Sequence, residues 1–250
     1  FPTRRSSDLT VKSLGIHAIF QSHRQMPPVL RALPGAASFD GPVHRALDAV
    51  YFDSVDAVLA RAQVALRRRE GGPDAGWHIK GPKLPGGGRR ELQWPLGDAA
   101  AVGTGTRSAA TPAPATAAGG AAPEETAATG AAVVLPAAVA EAVAHWSGGA
   151  PMLPLARVQN AREVWNVRDA HGGVLIEFVD DHVTGTDLRG GAVRSWREWE
   201  AELGPAAPAD APGREALFAA LEALVLAAGG RVSASASKLG RALGVTGDAD

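Results

Sequence analysis

Apolar and polar residues alternate in short runs along most of this chain, which is the period-2 signature of half-buried β-strands. Residues 47–53 (LDAVYFD) are rich in Val, Tyr and Phe and read as a strand. A short helix over 54–62 leads into a strand at 64–70. A turn at 71–74 then returns the chain as a hairpin partner over 76–81, and a second turn at 82–88 precedes a strand at 89–96. The later part repeats this style, with strands expected at 155–167, 174–181, 183–188 and 191–203. Helical spacing is confined to a few places: a short helix over 26–36, another over 135–146 and a last one over 235–243. The clearest is 215–228, where Leu217, Phe218, Leu221, Leu224, Val225 and Ala228 form one stripe that Gly229-Gly230 ends. Strands dominate and helices sit between and after them, which predicts an antiparallel α+β fold.

Parity along the strands sorts the charges. Arg67 and Arg69 share one face, opposite Leu66 and Arg68, while His78 and Lys80 oppose Trp77 and Ile79. Arg89, Glu91 and Gln93 oppose Leu92 and Trp94, and Glu198, Glu200 and Glu202 oppose Trp199, Ala201 and Leu203. Such a sheet could simply turn its charged face to water, laced by ion pairs worth about 1 kcal/mol or less each. The segregation of Arg-rich from Glu-rich faces favours a second reading. Arg67 and Arg69 offer planar forks that match phosphate oxygens, and Lys80 adds a point charge. Three Glu on one strand face repel one another unless a hard cation or facing Arg residues neutralise them. A closed sheet with these faces inward would hold a polyanion and its metal. Parity permits that tunnel without choosing it over the solvated sheet.

Composition narrows the partners. The 250 residues carry 25 Lys and Arg against 26 Asp and Glu, a formal net charge of -1, so bulk electrostatics favours neither nucleic acid nor a membrane surface. The absence of cysteine removes disulfides, zinc-thiolate sites and thiol catalysis, and fits a cytoplasmic protein. No apolar run is long enough to span a bilayer, and no signal peptide is recognisable. His17, His23, His44, His145, His171 and His182 are scattered without metal-ligand spacing, and His78 fits either a tunnel or a surface. Residues 98–131 are Ala, Gly, Thr and Pro with almost no large apolar side chain, so they are expected to form a disordered insertion. Residues 1–9 (FPTRRSSDL) resemble a translated sequencing adapter, and 1–25 are set aside as artefactual or non-native, with 10–25 open to either origin.

The segments LDAVYFDS, LARAQVALRRREGGPDAGWHIKGP, RRELQWPLG, IEFVDDHVTG, SWREWEAELG and SASASKLGRALG together resemble the CYTH (triphosphate tunnel metalloenzyme) domain, in order and spacing. The type is the one found ahead of CHAD domains in actinobacterial proteins, and the resemblance runs over 26–244 apart from the insertion. It implies an eight-stranded antiparallel tunnel and an activity among inorganic triphosphatases, thiamine triphosphatases and class IV adenylate cyclases. It also implies Mg²⁺ or Mn²⁺ as cofactor and triphosphate or polyphosphate as the bound anion. Arg67, Arg69, Lys80 and Arg162 match the family's catalytic basic ligands, and Arg89, Arg157 and Lys238 match further substrate-binding positions. Glu91, one of the Asp180-Asp181 pair, and Glu198, Glu200 and Glu202 match its metal-holding carboxylates, with the choice between the two aspartates left open. The family's opening Glu-x-Glu-x-Lys strand has no counterpart, since no Glu precedes Glu70. The expectation is therefore a fragment: a tunnel lacking its first strand, with two unpaired edges and impaired turnover, and with 245–250 beginning the linker to a missing CHAD domain. A non-catalytic polyphosphate- or nucleotide-binding module and a cyclase are the alternatives.

Overall fold

The computed structural model describes residues 10–14, 17–21, 30–84, 89–96, 131–233 and 237–245. The strands of the first half are β1 (Thr10–Leu14), β2 (His17–Gln21), β3 (Ser38–Asp53), β4 (Ala65–Glu70), β5 (Gly76–Lys83) and β6 (Arg89–Trp94). Those of the second half are β7 (Leu153–Arg168), β8 (Val174–Asp187), β9 (Val193–Leu203) and the two-residue β10 (Arg231–Val232). Helices α1 (Val58–Arg61), α2 (Ala137–Ser147), α3 (Ala211–Ala227) and α4 (Lys238–Leu243) lie between and after them. The expected insertion at 98–131 falls, but for Ala131, outside the described residues, as do residues 1–9 and most of 245–250.

All strands join one antiparallel sheet in the order β1-β6-β5-β4-β3-β7-β8-β9-β2-β10. The long β3 pairs with β7 from Ser38 to Asp53 and thereby fuses the two halves into a single tunnel-like sheet. Seven strands, β3 to β9, make the wall, the number left when an eight-stranded tunnel gives up its first. Its edges are nevertheless paired, contrary to expectation: β1 runs antiparallel to β6, and β2 to β9. β1 and β2 thus take the place where the family's first strand was expected, though their sequences, TVKSL and HAIFQ, carry no carboxylate.

Two outward faces are covered by helices. Leu217, Leu221 and Val225 of α3 press onto Trp165, Ile176, Phe178 and Trp199, while Val139 and Val143 of α2 and Leu59 of α1 cover Phe52, Leu66, Trp77 and Ile79. Each such fully buried side chain contributes about 1.5–3 kcal/mol by leaving water. The N-terminus of α3 lies earlier than periodicity predicts because Asp210 caps it, accepting from the Gly213 N–H at 2.7 Å.

Three further departures from the sequence reading have local causes. The strands expected at 174–181 and 183–188 are one continuous β8, because Asp180-Asp181-His182 is held extended by ladders on both sides. β3 begins at Ser38 rather than residue 47, since pairing with β7, not apolar alternation, defines its first half. Of the helix expected over 26–36, the described residues keep only a 3-10 turn, Leu30–Ala32. Among the described residues no helix is long and apolar enough to cross a membrane.

The remaining cluster lies inside the tunnel. Inward-facing Ala49, Tyr51, Ala156, Val158 and Val183 meet Ala242 of α4, with Leu239 and Leu243 packed alongside. At Gly185 a Cβ would stand 2.7 Å from the Cβ of Ala242, so the close seating of α4 on β8 requires glycine there. Helix α4 therefore occupies one end of the tunnel and delivers Lys238 toward its middle.

Candidate active site

Between the small apolar residues and the far rim, the inward face becomes charged around a cavity of about 520 Å³. Strand parity dictates its walls. Arg67 and Arg69 of β4, Lys80 of β5, and Arg89 and Glu91 of β6 line one side, with Arg45 and Tyr51 of β3 beside them. Arg162 of β7, Glu177 of β8, Glu200 and Glu202 of β9, and Lys238 line the other.

On the acidic side Asp181, Glu198 and Glu200 bring carboxylate oxygens within 4.8 Å of one another. Registry explains this: Asp181 pairs directly with Glu198 across the ladder, and Glu200 lies one inward position further along β9. Arg162 grips Asp181 with both arms of its fork, at 2.8 and 2.7 Å, and reaches Glu200 at 2.8 Å. The Lys238 ammonium lies 3.0 Å from Asp181, 2.5 Å from Glu198 and 2.6 Å from Glu200. Glu198 also accepts from Trp196 Nε1 at 2.6 Å and from Arg241 at 3.1 Å. Burial alone would raise the Glu200 pKa, but Lys238 and Arg162 outweigh it and hold the carboxyl far below the usual range. Burial likewise works against charge on Lys238, and Glu200, Asp181 and Glu198 reverse it, leaving the ammonium above its ordinary value.

On the basic side Arg67 lies between Tyr51, at 3.5 Å from its hydroxyl, and Glu91, at 3.3 Å. Arg69 pairs with Asp74, and burial, reinforced by the charges of Arg67 and Arg162, pulls its pKa down to about 9. The Nε atoms of both arginines are buried without a hydrogen-bond partner, and Lys80 makes no ion pair among the described residues. Unmatched cationic donors in a cavity are the donor set an anion would complete.

Glu91 is fixed from below. His78, itself buried, contacts it at 2.8 Å through Nδ1, and burial would raise the carboxyl's pKa. The His78 hydrogen bond and the charges of Lys80 and Arg67 reverse this and hold it at about 2, against an ordinary 4.5. Because the unfolded chain binds the proton first, this stabilisation is complete above pH 4.5 and is lost as the pH falls toward 2. It amounts to ~3 kcal/mol. In urea unfolding at successive pH values, the stability gap between wild type and Glu91→Gln should stay flat above about pH 5 and close below it. A gap indifferent to pH would contradict this account.

Most of the residues singled out from the sequence converge. Arg67, Arg69, Lys80, Arg89, Arg162, Lys238, Glu91, Glu200 and Glu202 line the cavity, and Asp181 and Glu198 lie behind it in the acidic cluster. Arg89 lies at the edge, donating to the carbonyls of Gln63 and Gly81. Two do not converge. Arg157 points outward and pairs with Asp48, since it has opposite parity to Arg162. Asp180 faces away from Asp181 and is bound by Arg197 at 2.8 Å, which resolves the choice within that pair in favour of Asp181. Glu91 stays with His78 and Arg67, apart from the three-carboxylate cluster. Arg45, Tyr51, Asp74 and Asn160 line the cavity without having been singled out. Arg45 precedes the expected start of its strand and so had no parity, whereas Tyr51 shares a face with Leu47 and Ala49 and read as apolar.

Three oxygen-only ligands converging in this way suit a hard divalent cation. Comparison with known proteins agrees with this frame. Residues 30–203 match the CYTH domain family. Two uncharacterized proteins of Mycobacterium tuberculosis are 35% identical over 210 residues, covering 80% of this chain and 34% of each relative. The chain thus spans about a third of the length of the curated relatives it matches. The crystal structure of a candidate adenylate cyclase from Bacillus halodurans superimposes with a TM-score of 0.50 and 11% identity, over 92% of this chain and 97% of that one. At that identity the likeness speaks to the fold, which is the same tunnel-like sheet. By the match over residues 30–203, this chain belongs to the CYTH domain family.

Proposed function

We propose that the tunnel binds inorganic triphosphate, or a related linear triphosphate, and hydrolyses a phosphoanhydride bond with Mg²⁺ or Mn²⁺. The observation that carries this reading is the facing of two opposed walls across one cavity, Arg67, Arg69 and Lys80 against Glu177, Glu200 and Glu202, with Asp181 and Glu198 clustered behind Glu200. Arg67 and Arg69 offer forks to phosphate oxygens, and Lys80 and Arg45 add charge along the same wall. Fixed cations of this kind orient the chain of phosphates and stabilise the charge that spreads over the transferred phosphoryl group. Asp181, Glu198 and Glu200 would hold the divalent ion, which when bound polarises phosphoryl and water oxygens. Arg162 bridges Asp181 of β8 and Glu200 of β9 and keeps the carboxylates in place.

Turnover is proposed to be weak, because the strands beside β6 and β9 bring no carboxylate where the family's Glu-x-Glu-x-Lys supplies two. The same observation favours a second reading, a module that binds polyphosphate without cleaving it. A cytoplasmic location and a CHAD partner domain belong to the same proposal; they rest on the cysteine-free composition and on the extra length of the curated relatives. Phosphate release from inorganic triphosphate, assayed with Mg²⁺, Mn²⁺ or chelator, is the test. Metal-dependent release that Glu200→Gln removes is the expected result. Binding without release supports the module, cyclic AMP formed from ATP would redirect the assignment to a cyclase, and no binding at all would refute both phosphate readings.

A further inference from the structure

The Lys238 ammonium occupies the point a divalent ion would take. It lies within 3.0 Å of an oxygen on each of Asp181, Glu198 and Glu200, the same three carboxylates whose oxygens converge within 4.8 Å. A hard cation needs those oxygens at about 2.0–2.6 Å, so it cannot share the space with the ammonium. Charge leads to the same conclusion. The three carboxylates are faced by three cationic groups, Arg162, Lys238 and Arg241, so the set is formally balanced without any ion. Adding two positive charges while Lys238 stays would leave an uncompensated surplus in a buried place, which is costly.

We propose that Lys238 is an exchangeable resident cation, which must leave the acidic cluster before a divalent ion can enter. The exit is short. Lys238 is the first residue of α4, and both it and its N-cap Ser237 line the cavity, so a change of rotamer carries the ammonium from the carboxylates to the cavity's interior. There it meets Lys80, Arg67 and Arg69, where it is tolerated only if an anion is present. The polyanion therefore supplies the new counter-charge for Lys238 and, by leaving the cluster free, tightens the divalent ion; linkage makes the effect reciprocal. Metal alone binds weakly, and metal with polyanion binds strongly.

This inference rests on the metal-dependent reading above, and the test separates the two. Mn²⁺ alone is titrated into the whole chain and followed by the paramagnetic resonance of the free ion, for wild type, Lys238→Met and Glu200→Gln. Lys238→Met should bind Mn²⁺ about ten-fold or more tightly than wild type, ~1.4 kcal/mol. Its unfolding temperature should be lowered without the ion and raised by it more than in wild type. If Lys238→Met folds poorly, Lys238→Gln, which retains a hydrogen-bonding side chain without the charge, takes its place with the same expectation. Mn²⁺ binding that Glu200→Gln weakens but that loss of the Lys238 charge leaves unchanged would overturn the exchange and leave the metal site standing. Absence of Mn²⁺ binding in all the variants would remove the metal site and the exchange together.

Discussion

Replacing Arg67 by alanine is expected to weaken the binding of inorganic triphosphate by about a hundred-fold, ~2.7 kcal/mol. Its guanidinium is mostly enclosed, with 13% of the side chain exposed, and it spends only two long contacts on the protein, to Tyr51 at 3.5 Å and Glu91 at 3.3 Å. Its Nε is buried and has no partner among the described residues. A phosphate oxygen would complete that donor set with charge-assisted bonds worth about 1.5–3 kcal/mol each, and these are lost together on truncation. The measurement is calorimetric titration with tripolyphosphate, which does not depend on turnover. Arg157→Ala is the matched control, because that residue has the same chemistry but lies on the outer face, paired with Asp48. Equal weakening by both would mean that bulk charge, not the tunnel, attracts the anion, and no weakening by Arg67→Ala would remove the cavity as the phosphate site.

The contrast between Arg67 and Arg157 shows what could be read in the sequence and what could not. Parity within a short strand is local information, so the charged faces of β4, β5, β6 and β9 followed from alternation with Leu66, Ile79, Leu92 and Trp199; that they turn inward did not, and it is the helices lying over those apolar residues that fix it. The acidic face of β9 needed no partner to be recognised. Distances across the tunnel are different, because they depend on registry between strands far apart in the chain. Nothing in the sequence says that Asp181 pairs with Glu198, or that Arg197 takes Asp180 to the other face. Arg157 was matched by position, and a strand as long as β7, pairing along its whole length with β3, gives its residues different tasks. The role of α4 was equally hidden. Its six residues carry a weak helical signal, and only the tertiary contact at Gly185 reveals that it enters the tunnel and places Lys238 against the acids.

Removing Arg162 should cost the fold about 3–5 kcal/mol, the range for breaking a buried ion pair from one side. Asp181 is fully buried and takes both arms of Arg162, whose fork also reaches Glu200. Burial disfavours a charged Arg162, but its hydrogen bonds and charge pairing with Asp181, then Glu200 and Glu202, raise its pKa well above the ordinary value. After Arg162→Ala the three carboxylates keep Lys238 and Arg241, one positive charge short of balance. Water admitted from the cavity offsets part of this, which favours the lower end of the range. A loss of ~3 kcal/mol corresponds to a fall of about 6–12 °C in unfolding temperature for a domain of this size. Arg168→Ala, which breaks the exposed pair with Asp40, should shift it far less, since such pairs are screened by solvent. Thermal unfolding of the two variants side by side is the measurement. Similar shifts for both would mean that the charged interior of the tunnel is as well solvated as its surface, and the segregation of its walls would then lose its energetic meaning. A large shift for Arg162→Ala that Mn²⁺ partly reverses would instead show the acidic cluster to be short of cations, the condition under which it draws in a metal ion.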